Sequence, residues 1–270
     1  MPNLPLYILT FFAYGVLAVL CWRAQEGGRG EASSHGWLGN AVLFPLALHG
    51  YLLMGSLWVG GSLNMGLATA LSMILWLTIL IYWLAHFFYP LSGLKVLVLP
   101  LAAVAAVLPG FSPGVRSLTQ VTSWAFDAHV LVAMLAYSLF TIAALHAGLM
   151  SLVEKSLHRA TLPRVLRTLP PLLTMETLLF RIIGVGFVLL TLTLASGFVF
   201  SEQIFGKAWQ FNHKVLFGLI SWVVFAVLLT GHRFKGWRGR TAVRWTMSGF
   251  AFLLLAYIGT QFVLEVILRR

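Results

Sequence analysis

The chain has 270 residues, of which 60% are hydrophobic and only 9% are charged, and its formal net charge is +11. Polar residues are too few to cover the surface of a water-soluble globule of this length. The composition therefore excludes an ordinary soluble protein. The positive charge lies in short segments between apolar blocks rather than on one basic face, which argues against nucleic-acid binding. The lone cysteine, Cys21, excludes a disulfide framework and a Cys-x-x-Cys motif.

Apolar blocks of about 20 residues recur along the whole chain, and a helix of that length crosses the hydrocarbon core of a bilayer. We predict eight spans, at residues 6–22, 37–57, 64–89, 94–108, 126–152, 177–200, 214–232 and 243–268. The fourth is short and contains Pro100, so it is either a kinked span or a re-entrant segment. The predicted fold is all-α: a polytopic membrane helical bundle that forms one transmembrane domain over residues 1–270.

Lysine and arginine concentrate in alternate connections between the spans. The largest connection, residues 153–175, is basic and contains three prolines, which is typical of a segment lying on the inner headgroup surface. The positive-inside rule places this linker and the other basic connections in the cytoplasm. Both termini and the connection that contains Trp209 are then predicted to lie outside.

The connection between the sixth and seventh spans is the part of the chain that most suggests a binding site. It contains Trp209 and Phe211, followed by Asn212, His213 and Lys214. A flat aromatic surface beside histidine and lysine could hold a flat, anionic ligand that carries iron. The alternative interpretation is an aromatic belt at the headgroup level, which membrane proteins commonly have.

The histidines are sorted by their predicted depth in the membrane. His129, His49 and His213 fall in the outer half, whereas the other five fall in inner loops or near inner helix ends: His35, His86, His146, His158 and His232. Imidazole is a common axial ligand of haem iron, so His129 and His49 are the candidate metal ligands. The alternative for each is a buried histidine hydrogen-bonded to a neighbouring helix.

Residues 205–212, Phe-Gly-Lys-Ala-Trp-Gln-Phe-Asn, resemble the Trp-Gly-x-x-Trp-x-Trp-Asp signature of haem-handling membrane proteins. His129 followed by a helix with Tyr137 also resembles the outer histidine of that family. The chain is therefore similar to the cytochrome c assembly family that includes CcsA and CcmC. Residues 189–194, 236–240 and 255–259 make it most similar to the branch of small inner-membrane proteins called YpjD.

The resemblance implies a multi-pass protein of the bacterial inner membrane that binds non-covalent, b-type haem, with His129 as the first outer ligand. The chain departs from the signature at Phe205, Phe211 and Asn212, and no histidine follows His232. The second ligand is then His49, His213, water or a residue of a partner. The implied function is an accessory haem-binding or haem-handling protein rather than a complete holocytochrome c synthase. The implied partners are haem, the lipid bilayer and other membrane proteins of cytochrome assembly.

The cofactor-contacting residues expected from this resemblance are His129, His49, Trp209, Phe211, Asn212, His213 and Lys214. Two other functions stay open. A cofactor-free membrane scaffold or regulator would retain the basic inner loops without a working haem site. A transporter would use the Pro100 segment as a broken helix, although charged residues within the spans are scarce.

Overall fold

The computed structural model describes residues 3–27, 37–59, 62–89, 92–111, 117–118, 124–158, 169–205 and 213–263. Most of these residues are helical. In chain order the α-helices are α1 (Leu4–Glu26), α2 (Trp37–Asn40), α3 (Leu43–Leu57), α4 (Leu67–Ala85), α5 (Lys95–Phe111), α6 (Trp124–His158), α7 (Leu172–Phe205), α8 (His213–Lys235), α9 (Gly239–Leu254) and α10 (Thr260–Phe262). A 3₁₀ turn, Ser92–Leu94, precedes α5, and a π-helical stretch, Leu255–Gly259, joins α9 to α10.

In the part of the chain that the structure describes, three short strands lie between helices. They are β1 (Trp58–Val59), β2 (Ser62–Asn64) and β3 (Ser117–Leu118), in the order β1-β2-β3. β1 and β2 pair antiparallel, with Trp58 opposite Leu63. Because this hairpin occupies the connection after α3, helix α4 begins at Leu67, three residues later than the predicted start of the third span.

Within the described residues, seven helical segments are long and apolar enough to cross a membrane. They are Leu4–Glu26, Trp37–Leu57, Leu67–Ala85, Trp124–Leu157, Leu172–Val199, His213–Lys235 and Gly239–Phe262. The shorter apolar helix α5, Lys95–Phe111, corresponds to the fourth predicted span. The prediction of an all-α membrane protein with about eight helices is therefore confirmed. The predicted sidedness, with both termini outside, stays a prediction.

Helix α5 is continuous although it contains Pro100 and Pro109. One face carries small side chains, including Ala102 and Ala106, which are almost completely buried. Small residues let helix backbones approach closely where lipid supplies no hydrophobic driving force between helices. This face accounts for the extensive packing of α5 against α1 and α4.

The chain divides into two compact units. Unit 1 comprises Met1–Ser117 and Leu149–Met175, and unit 2 comprises Leu118–Gly148 and Glu176–Arg270. Of the three boundaries, one falls within β3 and the other two fall inside α6 and α7, so each of these two helices contributes to both units. The interpretation of residues 1–270 as one transmembrane domain stays a prediction.

The core of unit 2 contains a stacked pair of rings, Phe140 on α6 and Phe225 on α8. Their centroids are 4.0 Å apart, and both rings are fully buried. Gly249 on α9 lies directly against Phe225, since a Cβ atom at residue 249 would be 2.8 Å from the ring. The Ser221 hydroxyl on α8 donates a hydrogen bond of 2.9 Å to the Gly249 carbonyl. Glycine at this position therefore permits the close approach of α8 and α9.

We expect Gly249→Ala to destabilise the protein by about 1–3 kcal/mol, because the added methyl group overlaps a ring that has no space to move. The matched control is Gly184→Ala on α7, where an added Cβ meets no atom within 4 Å. The melting temperature of each variant is measured in detergent as the temperature at which the monodisperse species is lost. Equal melting temperatures for the two variants would contradict this account of the α8–α9 contact.

Candidate functional site

His129 lies near the start of α6 in unit 2 and is partly exposed. Its Nδ1 atom lies 2.7 Å from the hydroxyl oxygen of Ser196 on α7. The hydrogen bond links two helices across 67 positions of sequence. It therefore holds the imidazole ring against α7 rather than leaving it to rotate in solvent or lipid.

The hydrogen bonds of Ser196 determine which nitrogen of His129 carries the proton. The Ser196 hydroxyl has one proton. Its oxygen lies 2.7 Å from the Leu192 carbonyl oxygen and 3.2 Å from the Thr193 carbonyl oxygen. Carbonyl oxygens only accept, so the serine donates to them and accepts from the imidazole. His129 is then protonated on Nδ1, which leaves the lone pair on Nε2. A neutral histidine with this tautomer is a competent metal ligand.

Gly197 lies against the same ring. A Cβ atom at residue 197 would lie 3.4 Å from Cε1 of His129, which is an ordinary van der Waals contact. The ring therefore packs directly on α7, where the adjacent Ser196 orients it.

The start of α8 brings a positive charge to the same part of unit 2. Lys214 is exposed, and its ammonium lies 4.9 Å from the centroid of the Tyr257 ring in the π-helical stretch. The same charge acts electrostatically on His129. Lysine over an aromatic ring is stabilised by a cation–π interaction. We call His129, Ser196, Gly197, Lys214 and Tyr257 the His129 cluster.

Tyr257 is itself held by the core of unit 2. Its ring packs edge to face on the ring of Tyr137, and the two ring centroids are 6.1 Å apart. Tyr137 lies on α6, eight residues after His129. The Tyr137 hydroxyl donates a hydrogen bond of 2.9 Å to the Leu253 carbonyl. Tyr137 is buried, so this bond satisfies a polar group that lipid could not. The aromatic side of the His129 cluster is consequently anchored to α6 and α9.

The predicted aromatic surface falls only partly within the described structure. Trp209, Phe211 and Asn212 lie outside the described residues, whereas His213 and Lys214 form the first turn of α8. His213 is exposed. The structure therefore brings His129 and Lys214 together, and the contribution of residues 209–212 stays a prediction.

His49 has a different environment, in unit 1. Its side chain is fully buried on α3, with Nε2 2.9 Å from the Ser72 hydroxyl and Nδ1 3.4 Å from the Tyr14 hydroxyl. Both ring nitrogens are thus engaged with neighbouring helices, as expected for a buried histidine with satisfied hydrogen bonds. Iron coordination by His49 would require one of these bonds to be exchanged, and its role as a ligand stays a prediction.

Two other histidines also serve as packing groups. In unit 1, the Nδ1 atom of His86 lies 2.6 Å from the Trp83 carbonyl oxygen. His232, at the far end of α8 from Lys214, stacks on Phe180 at 3.5 Å and lies 2.9 Å from the Trp237 carbonyl oxygen. Among the residues that the structure describes, no group of three or more His, Cys, Asp and Glu side chains could hold a metal ion.

The sequence predicts His129 and Lys214 as site residues but does not predict the residues that contact them. Ser196, Gly197 and Tyr257 have no predicted role in the site. A small polar residue next to glycine within a span is a weak signal, since the same pair commonly mediates helix contact alone. Only the fold reveals that this pair faces a histidine on another helix.

Comparison with known proteins agrees with this fold. Residues 39–268 match the family described as Cytochrome C assembly protein. The chain therefore belongs to the cytochrome c assembly family of membrane proteins. No solved structure matches it.

Three similar proteins illustrate the relationship. The chain is 34% identical over 139 residues to the inner membrane protein YpjD of Escherichia coli K12, covering 52% of each protein. It is 32% identical over 166 residues to an uncharacterized 28.8 kDa protein of Azospirillum brasilense, covering 62% of this chain and 58% of that one. It is 36% identical over 88 residues to the cytochrome c biogenesis protein CcsA of Synechocystis, covering 33% and 26%.

The chain thus spans about half the length of the curated relatives it matches first. The family and the apolar helices confirm the prediction of a multi-pass membrane protein, and the similarity to YpjD agrees with the inner membrane as its location.

Proposed function

We propose that this protein binds haem non-covalently at the His129 cluster and acts as an accessory haem-handling protein of the inner membrane. In this proposal Nε2 of His129 would hold the iron. Haem would supply an iron centre that can change oxidation state, and the chain would supply its ligand and orientation. The family's association with cytochrome c assembly supports haem as the ligand class.

The observation that carries the proposal is the hydrogen bond from His129 to Ser196. Metal-ligating histidines almost always donate their second ring N–H to an oxygen acceptor, which sets the tautomer and the ring orientation. His129 makes such a bond at 2.7 Å. Ser196 has its own proton directed to backbone carbonyls, so it is available as the acceptor. The donor chemistry of His129 therefore fits an iron ligand.

The charge and sequence neighbours of His129 support an anionic, flat ligand. Lys214 gives the cluster a cation that could pair with a haem propionate, and it lies two residues after Asn212 in sequence. We propose that Trp209, Phe211 and Asn212 complete the contact surface. The second ligand would be His213, water or a residue of a partner protein.

The cysteine content supports non-covalent attachment. Covalent c-type haem is attached through a Cys-x-x-Cys-His motif. The chain has one cysteine, Cys21, which lies on α1 in unit 1. We therefore propose non-covalent, b-type haem.

The visible spectrum of the protein, purified in detergent from haem-replete cells, tests the proposal. A Soret band that persists through size-exclusion chromatography, with a reduced-minus-oxidised difference, supports haem binding. A colourless protein that retains a stable protein partner would instead support the cofactor-free scaffold.

Ser196→Ala should lower haem affinity by about tenfold, because the ring of His129 loses the bond that orients it. The control is Ser221→Ala on α8, which removes a serine hydrogen bond in the core of unit 2 but leaves the His129 cluster intact. The rate of haem transfer to apomyoglobin measures how tightly each variant retains haem. Equal transfer rates for the two variants would show that Ser196 does not position the ligand.

A further inference from the structure

Helix α9 has two opposite faces, and the core of unit 2 uses one of them. The buried face consists of small and apolar residues, namely Ala242, Thr246, Gly249 and Leu253. Since an α-helix turns by about 100° per residue, residues 240, 244, 247 and 251 lie on the opposite side. All four have exposed side chains, and so has residue 255 in the π-helical stretch. We call this exposed set the α9 stripe: Arg240, Arg244, Met247, Ala251 and Leu255.

The α9 stripe changes from charged to apolar along the helix. Its two arginines lie at the end of α9 that adjoins α8, and its three apolar residues follow them. From Arg244 to Leu255 the helix rises by about 16 Å, close to half of the roughly 30 Å hydrocarbon core of a bilayer. The stripe therefore has the length and the polarity of one lipid molecule, with a charged head and an apolar tail.

Arg244 lies where a positive charge needs a partner. It is exposed on a helix that is long and apolar enough to cross a membrane, five residues after the helix begins at Gly239. A charged side chain within a span is costly unless it is paired or reaches the headgroup layer. Glu176, the acid beside this end of α9, lies 3.3 Å from Arg238 and 3.4 Å from the Gly239 amide. A headgroup phosphate is the anion that the bilayer itself supplies at this depth.

Arg240 and Arg244 have a spacing that suits a single phosphate group. Residues four positions apart on a helix have Cβ atoms about 5–6 Å from each other, so both guanidinium groups can reach one anion. A guanidinium group forms paired hydrogen bonds with phosphate oxygens. Its apolar stem can lie along the helix while its charged head reaches the headgroup layer. The two arginines together can therefore bind a lipid phosphate.

The turn between α8 and α9 fixes this end of the stripe at the headgroup level. Gly236 and Gly239 have φ angles of 66° and 53°, which favour glycine. The Trp237 amide donates a hydrogen bond of 3.2 Å back to α8, and its ring lies 5.3 Å from that of Trp245. Phe234, at the end of α8, is 83% exposed. Exposed aromatic side chains at the ends of membrane helices are typical of the interface with water.

We propose that the α9 stripe binds one acidic phospholipid, with its phosphate at Arg240 and Arg244 and an acyl chain along Met247, Ala251 and Leu255. An acidic lipid is favoured because the cation of a zwitterionic headgroup would be repelled by the two arginines. The basic connections are predicted to be cytoplasmic, and the cytoplasmic leaflet carries the negative surface potential. This lipid site goes beyond the haem function.

Photo-cross-linking of the full chain in nanodiscs tests the proposal. The nanodiscs contain equal amounts of phosphatidylglycerol and phosphatidylcholine, and one of the two lipids carries a diazirine on its acyl chain. Peptide mass spectrometry locates the labelled residues. We expect phosphatidylglycerol to label residues 245–255 about tenfold more than phosphatidylcholine does, since each arginine near the surface strengthens the attraction to an acidic lipid. Equal labelling by the two lipids would overturn the proposal.

Two double variants remove the same charge from different positions. Arg240→Gln with Arg244→Gln should abolish the preference for phosphatidylglycerol at residues 245–255. Arg233→Gln with Lys235→Gln removes two exposed cations at the end of α8 and should leave the preference unchanged. Equal loss in both variants would assign the effect to general surface charge and contradict the site.

Competition in the wild type decides if the first double variant does not fold. Excess unlabelled phosphatidylglycerol should lower the labelling of residues 245–255, whereas excess phosphatidylcholine should not. Equal competition by the two lipids contradicts the proposal.

A final arm separates the lipid from other anions. A poly-glutamate peptide or glycerol 1-phosphate is added to wild-type nanodiscs that contain the photoactivatable phosphatidylglycerol. We expect neither to lower the labelling, because neither has an acyl chain for the apolar part of the α9 stripe. Loss of labelling with the peptide would assign the arginines to an acidic protein segment, and loss with glycerol 1-phosphate would assign them to a free phosphate. Either loss would overturn the lipid, and neither depends on whether haem binds at the His129 cluster.

Discussion

His129→Ala should remove haem from the purified protein, lowering the Soret absorbance per chain by at least about tenfold. The reason is that alanine removes the only described side chain in the His129 cluster that offers iron a neutral imidazole nitrogen. The fold should persist, since His129 is partly exposed and lies near the start of a long helix. Absorbance at the Soret band relative to that at 280 nm measures the effect.

His232→Gln is the matched control for this loss. His232 is also an imidazole of unit 2 with a hydrogen-bonded Nδ1 atom, but it stacks on Phe180 at the other end of α8. The start and end of α8 are separated by about 30 Å, given the rise of a helix. Loss of haem from both variants would indicate general damage to unit 2. Full retention of an unchanged spectrum by His129→Ala would remove His129 as the ligand.

His49→Ala should destabilise the protein by about 2–4 kcal/mol, through a cavity and two unpaired hydroxyl groups in the core of unit 1. His49 is fully buried, and its ring joins α3 to Tyr14 on α1 and Ser72 on α4. The loss should be equally large in protein prepared without haem. Thermal unfolding in detergent, followed by tryptophan fluorescence, measures it.

Two further variants identify the cause of that loss. His213→Ala changes an exposed histidine and should alter stability by no more than about 0.5 kcal/mol. Ser72→Ala removes one of the two bonds and should cost about 1 kcal/mol. A His49→Ala protein that melts like the wild type without haem, yet loses the haem spectrum, would contradict the packing role and favour His49 as a ligand.

The helical architecture was largely predictable because a bilayer restricts what the chain can do. Each backbone polar group must be satisfied within its own segment, so an apolar block of sufficient length becomes a helix. Pro100 illustrates the limit of this reasoning, since the sequence left a kinked and a re-entrant segment open. The packing of α5 against α1 and α4 supports a continuous helix that the local sequence alone does not specify.

The candidate site was predictable in its ligand types but not in its geometry. His129 and His49 had the same attributes in the sequence, namely an imidazole in the outer half of a predicted span. They differ in their neighbours: the first contacts one serine beside a glycine on α7, and the second is enclosed by Tyr14 and Ser72. Such contacts join residues dozens of positions apart, and no periodicity encodes them.

The proposed function depends on coordination of haem iron by Nε2 of the His129 imidazole. Chemical rescue of His129→Gly tests this coordination, because added imidazole can occupy the space of the missing side chain. We predict that the wild type has a Soret band, that His129→Gly lacks it, and that millimolar imidazole restores it at the wild-type position. A wild type without haem, or a His129→Gly spectrum that is unchanged and insensitive to imidazole, would show that His129 does not hold the iron.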